Sequence, residues 1–163
     1  MSTAEKKKHK QQVPEAQKIL LGLMGERIVA YLLRKDGHEV EESLNPFDDQ
    51  KDMTVDGQPV EVKTQVPYMI EDSFAVLPYQ LKKLKSCHRV YWLSVPLKRE
   101  DDLAGVIFEM DMGSEELKAH RVRRIDGQEV VCFPRRQPAM KIVGRVNDPA
   151  LLDQLRKLST SYL

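Results

Sequence analysis

Two short segments joined by Asp56-Gly57 constrain this chain more than any other feature of its sequence. Asp-Gly suits a two-residue type I′ hairpin turn, because glycine accepts positive φ and aspartate tolerates it. With these two residues as the loop, Asp52 on the first strand faces Glu61 on the second. The predicted register therefore sets two carboxylates side by side, with Cβ atoms roughly 5 Å apart, where like charges destabilise a sheet unless a cation compensates.

The strand after the turn carries more polar side chains on the same face. Because side chains alternate along a strand, Glu61, Lys63 and Gln65 share one face, whereas Val60 and Val62 point toward a core. Hard cations such as Mg²⁺ take oxygen ligands, commonly one or two carboxylates with water and phosphate. A lysine beside such an ion can orient or deprotonate water, or stabilise charge on a phosphate. The alternative is a solvated face of an edge hairpin.

This arrangement resembles a known family. Asp52 followed by Glu61-Val62-Lys63 after a hairpin is similar to the Asp…Glu-X-Lys core of the PD-(D/E)XK nuclease superfamily, which includes restriction endonucleases, archaeal-type Holliday junction resolvases and phage nucleases. The resemblance covers about residues 20–95. No proline precedes the aspartate, since Lys51 stands there, at a position that varies in the family. The resemblance implies a restriction endonuclease-like fold and metal-dependent hydrolysis of nucleic-acid phosphodiesters that leaves a 5′-phosphate.

The resemblance also implies roles for individual residues. Mg²⁺, with Mn²⁺ as a substitute, would be bound by the two carboxylates and the Val62 carbonyl. Lys63 would position the attacking water, and Gln65 would orient water or phosphate. The expected catalytic residues are Glu26, Asp52, Glu61, Lys63 and Gln65, and the expected metal ligands are Asp52, Glu61 and Glu26.

Glu26 enters this set through its place on a predicted helix. The helix is expected to begin near Pro14 and to stop before Gly37, which can supply a left-handed cap. Glu26 falls within an apolar stripe with Leu23 and Ala30, and a carboxylate aimed at a core is costly unless it is paired or metal-bound. Many members of the superfamily carry a helical acid that joins the metal site, and Glu26 is similar to it. The alternative is an ion pair with Arg27, Arg34 or Lys63.

Charge is unevenly distributed along the chain. Lys plus Arg number 26 against 25 Asp plus Glu, but eleven acids fall within residues 36–72 and none within 73–99. Residues 73–99 carry six Lys or Arg instead, and seven more fall within 118–141. These basic segments would hold a polyanion beside an acidic centre; the alternative is that both are solvated surface charge. The residues expected to contact nucleic acid are Lys82, Lys83, Lys85, Arg121, Arg123 and Arg124.

The pattern of elements predicts an α/β fold: a restriction endonuclease-like core with a central mixed β-sheet flanked by helices, and an additional C-terminal hairpin and helix. Residues 1–12 are expected to be a disordered basic tail, and 13–163 a single nuclease domain. Its core would span about 13–110 and its C-terminal extension about 111–163. Asp48 and Asp49, in a turn before the hairpin, are rival metal ligands.

The predicted core has a β-α-β crossover. Arg89–Val95 is apolar almost throughout, as a buried central strand is, and follows a helix predicted to begin at Pro78 with its leucines inward and its lysines outward. Residues 66–76 are expected to form a loop across the front of the site, with Tyr68 and Phe74 either stacking on substrate or anchoring the core.

The C-terminal third is expected to form a hairpin across Asp126-Gly127 and a last helix capped by Asp148. The leucine face of that helix would pack on the sheet or on a second subunit, so a homodimer is one expected assembly. Cys87 and Cys132 are too few and too far apart for a disulfide framework, and no segment resembles a signal peptide or a membrane span. We expect a cytoplasmic protein with reduced thiols and no membrane partner.

Together these expectations indicate a Mg²⁺-dependent DNA endonuclease, structure-specific or phage-type. The alternative is a catalytically silent nucleic-acid-binding module with the nuclease fold. A third possibility is a protein without a nucleic-acid role, which predicts no salt-dependent DNA binding.

Overall fold

The computed structural model describes residues 13–43, 52–68, 71–97 and 100–160. The predicted basic tail and the rival acids Asp48 and Asp49 lie outside the described residues. The helices and strands, in chain order, are α1 (Glu15–Lys35), β1 (Val40–Glu42), β2 (Met53–Val55), β3 (Gln58–Gln65), β4 (Ser73–Val76), a 3₁₀ turn (Pro78–Gln80), α2 (Leu81–Lys85), β5 (Arg89–Ser94), β6 (Val106–Asp111), β7 (His120–Arg123), β8 (Glu129–Pro134), β9 (Met140–Arg145) and α3 (Pro149–Leu158).

The main sheet has six strands in the order β1-β2-β3-β5-β6-β9. β3 and β5 are parallel, whereas every other neighbouring pair in this sheet is antiparallel. The sheet is therefore mixed, and the predicted α/β class is confirmed. The chain leaves β3, forms β4 and α2, and returns as β5, which is the predicted crossover to a buried strand.

The β2–β3 hairpin has the predicted register, with Met53 opposite Val60. Asp56 and Gly57 have φ values of 50° and 80°, as a type I′ turn requires. The Asp56 carboxylate also accepts the Glu39 N–H at 2.9 Å and lies 2.7 Å from His38 Nδ1. The turn is thus fixed to the chain that enters β1, which helps to hold the first two strands beside β3.

The two faces of the main sheet are covered differently. The face carrying Val60 and Val62 packs against α1 and α3. The opposite face packs against a second sheet, of order β4-β8-β7, and against the five-residue α2. The helix predicted from Pro78 was expected to flank the sheet, and α2 does lie on this face, but most of the cover is β-structure. Phe74 belongs to this core: it is fully buried in β4 and stacks on Trp92 with ring centroids 4.7 Å apart.

Residues after 110 are integral to the domain. The predicted hairpin is confirmed as β7 and β8, and β4 completes its sheet. The sequence did not predict β9, which pairs with β6 and completes the main sheet. In α3 the predicted cap is present, because Asp148 accepts the Ala150 N–H at 3.0 Å, and Leu155 is fully buried within the same chain. The boundary expected near residue 110 therefore does not separate a core from an extension.

A buried arginine joins the two sheets. Arg135, just after β8, donates to Asp72 Oδ1 from Nε at 2.9 Å and from Nη2 at 2.6 Å. It also donates to Asp101 from Nη1 and Nη2 at 3.0 and 3.1 Å, and to Ser94 Oγ at 3.0 Å. All five guanidinium N–H groups are therefore used. The arginine ties the ends of the second sheet to β5 and to the connection that leads into β6.

Helix α1 lies unusually close to β3 at Gly25. A Cβ atom built on Gly25 would lie 1.6 Å from Thr64 Oγ1 and 2.8 Å from Thr64 Cβ. Only glycine permits this approach, and Glu26, the next residue, is partly buried. No helix in the described part of the chain is long and apolar enough to cross a membrane.

Replacing Arg135 is expected to destabilise the protein severely. Arg135→Gln leaves Asp101, whose side chain is 3% exposed, without its cation, and an unpaired buried charge costs about 3–5 kcal/mol. Arg136→Gln is the matched control, because 54% of its side chain is exposed and its ion pairs are screened by water. Urea unfolding at pH 7 measures the free energy of unfolding of both variants. Equal losses for the two variants would contradict the buried network's importance.

Gly25→Ala is expected to cost about 1–3 kcal/mol of unfolding free energy, because the added methyl group forces α1 away from β3. Gly22→Ala is the control on the same helix. A Cβ there meets nothing within 4 Å, so alanine should stabilise the helix by up to about 1 kcal/mol. Thermal or urea unfolding of both variants tests the close contact, which is refuted if Gly25→Ala is as stable as Gly22→Ala.

Candidate functional site

Asp52 and Glu61 converge at one end of the main sheet. Glu61 is 2% exposed and lies on the face of β3 opposite Val60 and Val62, as predicted. Asp52 directly precedes β2; its backbone N–H donates to the Val60 carbonyl at 3.2 Å, and its Oδ2 accepts the Val62 N–H at 2.8 Å. These two hydrogen bonds hold Asp52 opposite Glu61 on the neighbouring strand.

The two acids reach a common cation. Lys83 Nζ lies 3.1 Å from Glu61 Oε2 and 3.7 Å from Asp52 Oδ1, so one ammonium bridges both carboxylates. Lys63 Nζ lies 3.3 Å from Glu61 Oε1. The structure therefore brings together three of the predicted catalytic residues, Asp52, Glu61 and Lys63.

Lys83 was predicted to point outward with its neighbours, and that prediction was wrong. Only 28% of its side chain is exposed, and its ammonium lies on the acid pair. Lys83 stands beside Leu84, which was predicted to face inward and is fully buried. Lysine is nevertheless so common on solvated helix faces that the inward direction depends on the acids that it meets.

One oxygen of the pair stands out. Among the described residues, Glu61 Oε2 is buried and lies 3.1 Å from the Lys83 ammonium. Because buried carboxylate oxygens normally need hydrogen-bond donors, this ammonium supplies compensation that the atom requires.

The site disfavours negative charge. Burial and the nearby charge of Glu61 raise the pKa of Asp52 to about 6, against the opposing effects of the Val62 N–H and Lys83. Burial, followed by the charges of Asp52 and Glu61, raises the pKa of Glu26 to about 7. Glu26 therefore lies within the electrostatic field of the pair. Among the described residues it forms no ion pair with Arg27, Arg34 or Lys63; Arg34 pairs with Glu42 at 3.2 Å instead.

The carboxylate oxygens of Asp52 and Glu61 suit a metal ion that needs few protein ligands. Across residues 13–43, 52–68, 71–97 and 100–160, no group of three or more His, Cys, Asp or Glu side chains is arranged to hold a metal ion. Asp52 and Glu61 alone form the pair, and Glu26 is a neighbour rather than a member of it. Because Mg²⁺ commonly binds one or two carboxylates and fills its other positions with water and phosphate, the residues present fit that ion.

Gln65 has different contacts from those predicted. Its Nε2 donates to the Ala75 carbonyl at 2.8 Å, and its Oε1 accepts the Ala75 N–H at 2.7 Å. Both amide atoms are thus used by the backbone of β4. Gln65 fastens the second sheet to the end of β3, and in this structure its amide is not directed at the acid pair.

The predicted nucleic-acid contacts fall into two groups. Lys82 and Lys85 are exposed on α2 on either side of Lys83, next to the site. The three arginines lie on or just after β7 in the second sheet, where Arg121 pairs with Glu129, Arg124 lies 3.9 Å from Asp126, and Arg123 Nη1 donates to the Gly127 carbonyl at 3.1 Å. Much of the hairpin's charge is therefore balanced locally.

Comparisons with known proteins give no family for this chain: a scan against protein-family models found no match, and a search of curated proteins found none either. Any assignment of function therefore depends on the site itself.

Asp52→Asn is expected to stabilise the metal-free protein at pH 8. Because folding raises the pKa of Asp52 to about 6, the native state prefers the protonated acid, and the stability from this preference is present below pH 4 and lost as the pH rises through 6. The amide imitates the protonated form, so the expected gain is about 3 kcal/mol at pH 8 and falls below about 1 kcal/mol at pH 4.

Urea unfolding with a chelator present measures this difference at the two pH values. Glu115→Gln, which neutralises an exposed acid, is the control and should change stability little at either pH. A loss of stability in Asp52→Asn that grows between pH 4 and pH 8 would contradict the assignment.

Proposed function

We propose that this chain is a Mg²⁺-dependent DNA endonuclease with a restriction endonuclease-like core. The observation that carries the proposal is the convergence of two carboxylates, the buried Glu61 and the largely buried Asp52, on a single ammonium, with Lys63 3.3 Å from the same glutamate. A sheet that sets like charges together gains nothing in stability from doing so, whereas a site for a hard cation requires it.

The path of the chain supports this proposal. The aspartate precedes a tight hairpin, and the glutamate and lysine follow on its second strand. That strand then leads through a crossover to the parallel, buried β5. The arrangement matches what the resemblance to the PD-(D/E)XK superfamily implies, with all three motif residues at one end of a mixed sheet.

Mg²⁺, or Mn²⁺ in its place, would be held by Asp52 and Glu61, assisted by the Val62 carbonyl, with Glu26 nearby. When bound, such an ion lowers the pKa of a coordinated water and neutralises charge on a phosphate. Carboxylates bind a metal ion in their ionised form. Binding of Mg²⁺ should therefore weaken as the pH falls through about 6, where Asp52 gains a proton.

The remaining chemistry falls to the lysines. Lys63 lies beside Glu61 with a quarter of its side chain exposed, so it can reach a water or phosphate oxygen in front of the acid pair. From there it would orient or deprotonate the attacking water and stabilise charge that develops on the phosphate. Lys82 and Lys85, exposed on α2, would hold the flanking phosphates.

One observation favours the alternative, a catalytically silent nucleic-acid-binding module. Two ammoniums, Lys63 and Lys83, already lie against the two carboxylates, so the pair is neutralised by the protein itself. In such a module the acids and lysines would form a structural ion-pair cluster, and DNA would bind through basic surface residues alone.

Plasmid nicking separates the two functions. Wild-type protein is expected to cleave supercoiled DNA with Mg²⁺ and not with a chelator, and a panel of linear, single-stranded, forked and four-way substrates then defines its preference. Glu61→Gln and Lys63→Gln should lose at least about 10²-fold in rate, because each removes a group that acts on the metal or the water.

Glu115→Gln should cleave like wild type, and circular dichroism confirms that each variant is folded. Salt-dependent DNA binding without cleavage by wild type would establish the silent module instead. Absence of salt-dependent binding would exclude both nucleic-acid functions.

A further inference from the structure

Lys83 holds a position that the proposed mechanism does not use. It reaches the acid pair from α2, on the far side of the crossover from β3 and outside the Asp…Glu-X-Lys motif. Its ammonium lies within 4 Å of oxygens from both Asp52 and Glu61, whereas Lys63, as far as the described residues go, pairs with the glutamate and not with the aspartate.

This location coincides with the place that a shared metal would take. A cation bound by both acids would compete with Lys83 for their oxygens, because Lys83 Nζ lies 3.7 Å from Asp52 Oδ1 and 3.1 Å from Glu61 Oε2. Metal–oxygen distances of about 2.1 Å leave no room for an ammonium on the same oxygens, and the two positive charges repel one another.

The Lys83 side chain can change its position while α2 stays in place. Leu84 is fully buried and anchors α2 in the core beneath the second sheet. The lysine head group lies at the end of a flexible four-carbon stem with 28% of the side chain exposed, so it can swing toward solvent without disturbing that anchor.

We propose that Lys83 is the exchangeable counter-ion of the acid pair: a divalent cation binds by displacing the Lys83 ammonium, which moves to the front of the site where a phosphate would lie. This inference rests on the metal site of the proposed function. Lys83 thereby sets the metal affinity of the site, and it keeps the buried carboxylates compensated whenever no metal is bound.

Lys83→Met tests the exchange, because methionine keeps much of the apolar stem and removes the charge. In Mn²⁺ titrations by calorimetry at pH 8 and low ionic strength, without DNA, this variant should bind Mn²⁺ about tenfold more tightly than wild type, since no competing ammonium has to leave. Lys82→Met is the matched control. It removes the same charge from an exposed position on the same helix and should change the affinity far less.

Thermal unfolding supplies a second readout. Without metal, Lys83→Met should unfold at a lower temperature than wild type, because two buried carboxylates lose their counter-ion. Saturating Mn²⁺ should raise the unfolding temperature of Lys83→Met by more than it raises that of wild type. If Lys83 has only a structural role, Lys83→Met should lower the unfolding temperature equally with and without Mn²⁺ and leave the Mn²⁺ affinity unchanged. That result would overturn the exchange.

If Lys83→Met does not fold, Lys83→Gln replaces it, and Lys83→Arg, which keeps the charge, should bind Mn²⁺ no more tightly than wild type.

Tighter binding by Lys83→Met in a protein that never cleaves DNA would support the exchange and refute the endonuclease. Cleavage by wild type with equal or weaker Mn²⁺ binding by Lys83→Met would refute the exchange and keep the endonuclease. Absence of Mn²⁺ binding in every variant would overturn both.

Discussion

Two carboxylates buried at one end of a sheet cannot both stay ionised unless positive charge lies within a few ångströms of them. In this protein the need arises from the backbone itself, since the β2–β3 hairpin sets Asp52 across from Glu61, and the Val62 N–H fixes the aspartate there. Lys63 and Lys83 meet the need in this structure. The proposed enzyme and its silent alternative differ in whether a metal ion can take over that task.

Contacts elsewhere in the fold position the elements that carry the acid pair. The missing side chain at Gly25 lets α1 approach β3, which brings Glu26 into the field of the pair. On the other face, the Gln65 amide and the Arg135 guanidinium fasten the second sheet to the main one. The raised pKa values of Asp52 and Glu26 indicate that full ionisation of these acids is electrostatically unfavourable. Such a cost is expected where function rather than stability determines which residues are present.

Local chemistry explains which parts of this structure can be predicted from sequence. The Asp56-Gly57 turn determines the hairpin register, and alternation then places Glu61 and Lys63 on one face. The apolar run of β5 and the end of α1 before Gly37 are equally local signals. β9 escaped prediction because Lys141 and Ile142 are both exposed and Gly144 interrupts the strand, so its sequence has no clean alternation.

Long-range contacts could not be predicted in the same way. Arg135 meets Asp72 and Asp101 across 63 and 34 residues of chain, and no local pattern signals that pairing. The directions of Lys83 and Gln65 likewise depend on which element packs opposite them. The sequence thus indicates the positions of Asp52, Glu61 and Lys63, while the contact of Lys83 with the acids and the second sheet depend on tertiary structure.

Anomalous diffraction from crystals soaked in Mn²⁺ would locate a bound metal ion and the lysine in one experiment. We expect a single strong peak between the carboxylates of Asp52 and Glu61, about 2.1 Å from an oxygen of each, with the Lys83 ammonium displaced from both. Crystals that show no peak there, with Lys83 still seated on the two acids, would contradict it.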